Sequence, residues 1–113
     1  MLTLDALRNY GANVETGLSR CANMEALYLR LVKICIEELN SPALGDALKQ
    51  NDINRAFEIA HKLKGGVANL ALDPVAVPLF QLTELLRNKT PGDYDKLYGE
   101  ISEQASILAS LLN

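Results

Sequence analysis

Apolar residues recur at spacings of three and four along several segments of this chain, and no segment shows sustained apolar–polar alternation with β-branched enrichment. That period belongs to helices, so the expected fold class is all-α. A short first helix follows Thr3, whose hydroxyl suits an N-cap. Leu4 and Leu7 give it an apolar side, and Gly11 suits the left-handed position after its end. It is expected to lie across one end of the bundle. Asn23 is the expected N-cap of a second helix, with Leu27, Tyr28, Leu31, Ile34, Cys35 and Leu39 on its core face. Ser41 and Pro42 read as N-cap and first residue of a third, with Leu44 and Leu48 inward and Gly45 weakening it slightly.

Asp52 opens the next helix, where Ile53, Ala56, Phe57, Ala60, Leu63, Val67 and Leu70 form one apolar stripe from end to end. This is the expected central helix. Val75, Leu79, Leu82, Leu85 and Leu86 trace another inward face after Asp73 and Pro74, but Pro78 interrupts it. A proline there removes a backbone donor and clashes with the preceding turn, so the helix either kinks there or begins properly at Pro78, and the later start is the expectation. Asn88 to Gly92 is a loop by its Asn, Thr, Pro and Gly content. Asp93 then caps a final helix bearing Tyr94, Leu97, Ile101, Ala105, Leu108 and Leu112. Amphipathic helices with short connections are most simply satisfied by an antiparallel four-helix bundle, with the short N-terminal helix as an addition. Residues 1–113 are expected to form a single domain without internal repeats.

Composition narrows the function. At 113 residues, 49% hydrophobic and 22% charged, the chain has enough apolar content to fold as one soluble domain. A net charge of -3 and a pI near 5.1 leave no electrostatic footprint for nucleic acid or an anionic membrane. No run approaches the ~18 apolar residues of a membrane span, and the first residues lack a targeting pattern. Cys21 and Cys35 form no CxxC and read as reduced thiols; a redox role is the lesser alternative. The expectation is a cytoplasmic monomer with no cofactor.

Candidate chemistry converges on one residue. His61 is the only histidine, which excludes HExxH zinc sites and paired Glu-x-x-His di-iron sites; no metal site is expected. A nucleophile elbow and a glycine-rich phosphate loop are absent. At about 100° per residue the apolar stripe centres about 120° away from His61, which places the imidazole at the solvent side. Asn54, Glu58, Gly65, Ala68 and Leu72 share its meridian, so a strip of small side chains adjoins it toward the C-terminus. An imidazole in water is largely neutral near pH 7 and keeps a lone pair on one ring nitrogen, which attack on phosphorus requires. Lys64, at i+3, can reach a phosphoryl group on that ring, whereas Lys62 projects elsewhere. Gly65 and Gly66 weaken an otherwise good helix, which suits close approach by a partner's backbone; a helix–helix crossing is the alternative.

The segment Ala60-His61-Lys62-Leu63-Lys64-Gly65-Gly66 resembles the AHxLKG signature of the histidine-containing phosphotransfer family. Gly17-Leu18-Ser19-Arg20, Asn51-Asp52 and the leucine-rich helices after the histidine extend the resemblance from about Gly17 to Leu112. It implies a four-helix bundle whose exposed histidine passes a phosphoryl group between receiver-domain aspartates. By position, His61 is then the phosphoacceptor and Lys64 the phosphoryl-stabilising cation, while Gly65 and Ala68, with Leu72 and Glu58, form the receiver-docking surface. The implied partners are response-regulator receivers or a hybrid histidine kinase. Two departures stand out: Ala71 where the family usually has glycine, and Pro78. The alternatives are a phosphoacceptor domain of a larger, chemotaxis-type kinase, and a bundle that binds partners without being phosphorylated.

Overall fold

The computed structural model describes all 113 residues as helices and short connections, without a strand. The helices are α1 (Leu4–Tyr10), α2 (Val14–Arg20), α3 (Glu25–Leu39), α4 (Ala43–Lys49), α5 (Ile53–Asn69), α6 (Asp73–Arg87) and α7 (Tyr94–Ser110). Local chemistry sets several of these boundaries. Thr3 Oγ1 accepts a hydrogen bond from Ala6 N at 3.0 Å, Asp52 Oδ1 from Arg55 N at 3.2 Å, and Asp93 Oδ1 from Lys96 N at 2.9 Å, so these three of the five expected caps satisfy helix donors that would otherwise lack partners. Gly11 ends α1 with φ +115°, the left-handed position expected of it. Ser41 Oγ accepts from Ala43 N at 3.3 Å, and α4 begins one residue after Pro42 rather than at it.

Three features depart from the sequence-based expectation. Helix α2 was not anticipated; Asn13 opens it by accepting from Thr16 N at 3.2 Å. Asn23 does not cap α3. It follows Ala22 in a left-handed pair, φ +58° after +54°, that reverses the chain out of α2, and Met24 takes the cap position without a side-chain bond. Asparagine tolerates that region better than most residues. Finally, α6 starts at Asp73 and runs straight through Pro78. The missing N–H there forfeits a single bond, to the carbonyl of Pro74 in the first turn, and the Pro78 ring is buried. Pro74, near the start of the helix, lacks a donor that had no intrahelical partner anyway.

The core is one cluster of 24 buried residues to which every helix contributes, from Leu7 and Val14 through Ile36, Leu44, Val67 and Leu79 to Leu108. Four long helices surround it: α3 packs on α5 and α7, α5 on α6, and α6 on α7, closing a ring. Helix α4 leans on α5, and α2 packs on α1 and α3. Ile34, expected inward, is 46% exposed on the outside of α3. No helix is long and apolar enough to cross a membrane.

Candidate functional site

The seventeen residues of α5 bury Ala56, Ala60, Leu63 and Val67, and this places the opposite face in solvent. His61, near the midpoint of α5, is exposed on that face, as is Glu58 one turn earlier. The double glycine divides its roles. A Cβ added at Gly65 would meet nothing within 4 Å, whereas one at Gly66 would lie 3.7 Å from Cys35 Sγ of α3, at ordinary contact distance. Of the two glycines, only Gly65 therefore borders open space. Ala68, one turn further, is half-buried.

Lys64 is half-buried and its ammonium sits 5.6 Å from the centroid of the Phe80 ring of α6, in cation–π range. Phe80 is 40% exposed, and Val77, one turn before it, is 60% exposed. An apolar margin on α6 thus borders the site on the lysine side. At the other side of the site Phe57 stacks on His61, with ring centroids 5.5 Å apart and planes 21° from parallel. The guanidinium carbon of Arg87 lies 5.1 Å from the centroid of the same Phe57 ring, while its Nε donates to Glu84 Oε1 at 3.3 Å.

Leu72 does not belong to this surface. Helix α5 ends at Asn69, Ala71 turns the chain with φ +58°, and Leu72 becomes the fully buried N-cap residue of α6. The angular count along α5 does not carry past the end of the helix, where the left-handed Ala71 redirects the chain. Val75 is likewise fully buried. Phe57, Phe80 and Arg87 were not anticipated as neighbours of the site. Phe57 lies four residues before His61, where a helix brings side chains together, and Phe80 and Arg87 are two turns apart on one face of α6; only the first of these signals was readable without the packing of α5 on α6.

The C-terminal end of α5 is held by other means. Tyr28 Oη donates to Leu70 O at 3.0 Å in a buried bond, and the Arg20 guanidinium donates to the carbonyl of Ala68 and, at 3.4 Å, to that of Asn69. These bonds satisfy carbonyls that the helix end leaves open. Gly17 makes the approach possible: a Cβ there would come within 2.4 Å of Tyr28 Cε1 and 2.8 Å of Leu70 O. The resembling segment around Gly17 and Arg20 therefore buttresses the histidine helix. Both cysteines are buried, and burial, with a smaller contribution from Glu38, pushes the Cys35 thiol up to about 12, so it stays protonated.

The family model of the Hpt domain matches residues 30–110, from within α3 to the end of α7. The chain belongs to this family, the histidine phosphotransfer domains of two-component phosphorelays. No curated protein and no solved structure matches it significantly.

Proposed function

We propose that this chain is a phosphorelay carrier in which His61 takes a phosphoryl group from one receiver-domain aspartate and yields it to another. The observation that supports this most directly is the exposed imidazole at the middle of α5 with empty space over Gly65 beside it. In the forward step a neutral ring nitrogen attacks the phosphorus of an aspartyl phosphate. The N–P bond forms as the P–O bond to the carboxylate breaks, the aspartate leaves as carboxylate, and the proton on the other ring nitrogen is free to pass to water. Transfer onward is the reverse reaction on a second receiver. The carrier contributes a positioned nucleophile and a surface, and the receiver supplies the rest of the chemistry.

Lys64 then offsets the phosphoryl charge, leaving the Phe80 ring to do so. Gly65 and Ala68 admit the receiver's backbone, with Val77 and Phe80 forming an apolar margin and Glu58 the polar rim. The antiparallel sense of the bundle is supported by the three-residue link between α5 and α6, and the single-domain organisation of residues 1–113 by the shared core. The partners are receiver domains, free or within a hybrid kinase, met by a cytoplasmic monomer. The test is incubation with receiver domains charged by acetyl phosphate, followed by intact mass. The wild-type chain should gain one acid-labile, base-stable phosphate, and a folded His61→Gln protein none. Uptake by His61→Gln with the same lability would refute the assignment.

A further inference from the structure

Beyond its role as a core-edge residue, we propose that Phe57 is the positioning residue for the phosphoaccepting imidazole, holding the His61 ring in the orientation from which it attacks. The inference rests on the reading of His61 as phosphoacceptor. An imidazole exposed on a helix is otherwise a loose rotor. Its χ1 has about two accessible wells there and its χ2 about two more, so an unrestrained ring spends only about a quarter of its time in any one orientation.

Helical side chains lean toward the N-terminus, which brings the His61 ring back over Phe57. An i,i+4 contact alone would be ordinary helix packing. Two further observations go beyond it. The rings are close to parallel, 21° apart, so Phe57 covers a face of the imidazole. The nitrogen lone pair that attacks phosphorus lies in the ring plane, and a face contact leaves it clear where an edge-on contact would obstruct it. Phe57 is also held from outside its own helix. It packs on the hydrophobic core from a half-buried position, and Arg87 of α6, paired with Glu84, lies over its ring. The orientation of His61 is thereby tied to α6, the helix that also carries Phe80 beneath Lys64.

The test uses Phe57→Leu, which keeps an apolar side chain for the core but removes the ring, and Phe57→Tyr, which restores a ring. Transfer from a charged receiver is followed as a function of receiver concentration, with His61 ring protons observed by NMR. In the wild-type chain these protons should show ring-current shifts and nuclear Overhauser contacts to Phe57. In Phe57→Leu the shifts should vanish and the saturating transfer rate fall about fourfold, the number of orientations released. The half-saturating receiver concentration should change little, and Phe57→Tyr should recover the rate. The inference is overturned if the wild-type rings show no Overhauser contact, a result that does not depend on how the variants fold. It is also overturned if Phe57→Leu keeps the wild-type saturating rate, or if only its half-saturating concentration rises, which would make Phe57 a docking residue. Should His61→Gln be inert while Phe57→Leu transfers normally, this inference alone fails; phosphate uptake by His61→Gln would remove the reading beneath it.

Discussion

Gly17 and Gly65 both sit inside helices, where glycine costs about 0.5–1 kcal/mol relative to alanine, yet their surroundings are opposite. At Gly17 a Cβ would strike the Tyr28 ring and the Leu70 carbonyl; at Gly65 it would meet nothing. The first glycine lets two parts of this molecule close on each other. The second leaves a gap that no part of this molecule fills. The contrast shows that a glycine suggests a docking strip only when the space beside it is empty, since the same residue type in α2 serves internal packing against Tyr28 and the residue that follows α5.

The largest expected effect comes from filling the closed position. Gly17→Ala forces a methyl group against a backbone carbonyl that already accepts from Tyr28, and should cost about 2–3 kcal/mol. Thermal denaturation should show this as a midpoint lowered by about 10 °C or more. A variant as stable as the parent would mean that α2 can move off the α5 end, and that Gly17 is no closer to a constraint than Gly65. Filling the open position should do the reverse. Gly65→Arg should leave the melting midpoint unchanged or raise stability by up to about 1 kcal/mol, because a poor helix former is replaced by a good one. Its transfer rate from a charged receiver should nevertheless fall about tenfold, equivalent to about 1.4 kcal/mol of lost docking. Unchanged transfer in this folded variant would place the receiver elsewhere on the surface. The smallest expected effect is at Ala71, which adopts φ +58° with a Cβ that resists it. Ala71→Gly should stabilise by about 0.5 kcal/mol, the relief of strain being partly offset by the greater freedom of glycine in the unfolded chain; a loss of stability in urea denaturation would show that the buried methyl group outweighs the backbone.

Much of this molecule could be read before its fold was seen, for a physical reason: Thr3, Asp52 and Asp93 act on donors only three residues away, and the stripes of α3, α5 and α7 are long enough to show a period. What escaped depends on distant packing. Helix α2 has seven residues and one buried apolar side chain, Val14, beside the buried Gly17, too little to show a period; its only local signal was Asn13. Pro78 argues against a continuous α6 only locally, through the cost of a lost donor, whereas the burial of its ring is set by the surrounding helices. Leu72 was misplaced because a left-handed turn at Ala71 breaks the angular count. The exposure of His61 followed from α5 alone, but the rings and cations around it come partly from α6.

His61 stands eight residues from each end of the seventeen-residue α5, about 12 Å along the axis in either direction. The aligned peptide dipoles of a helix act on charges within its first or last turn and fade beyond it. A phosphoryl group on His61 would therefore receive none of the stabilisation that helix N-termini give to bound phosphates elsewhere, and no backbone N–H would hold it. Its counter-charge would have to come from Lys64, which rests over the Phe80 ring, and from whichever partner is docked. Placement at mid-helix would thus leave a phosphorylated imidazole without backbone stabilisation, so that little beyond the N–P bond itself would oppose its transfer onward.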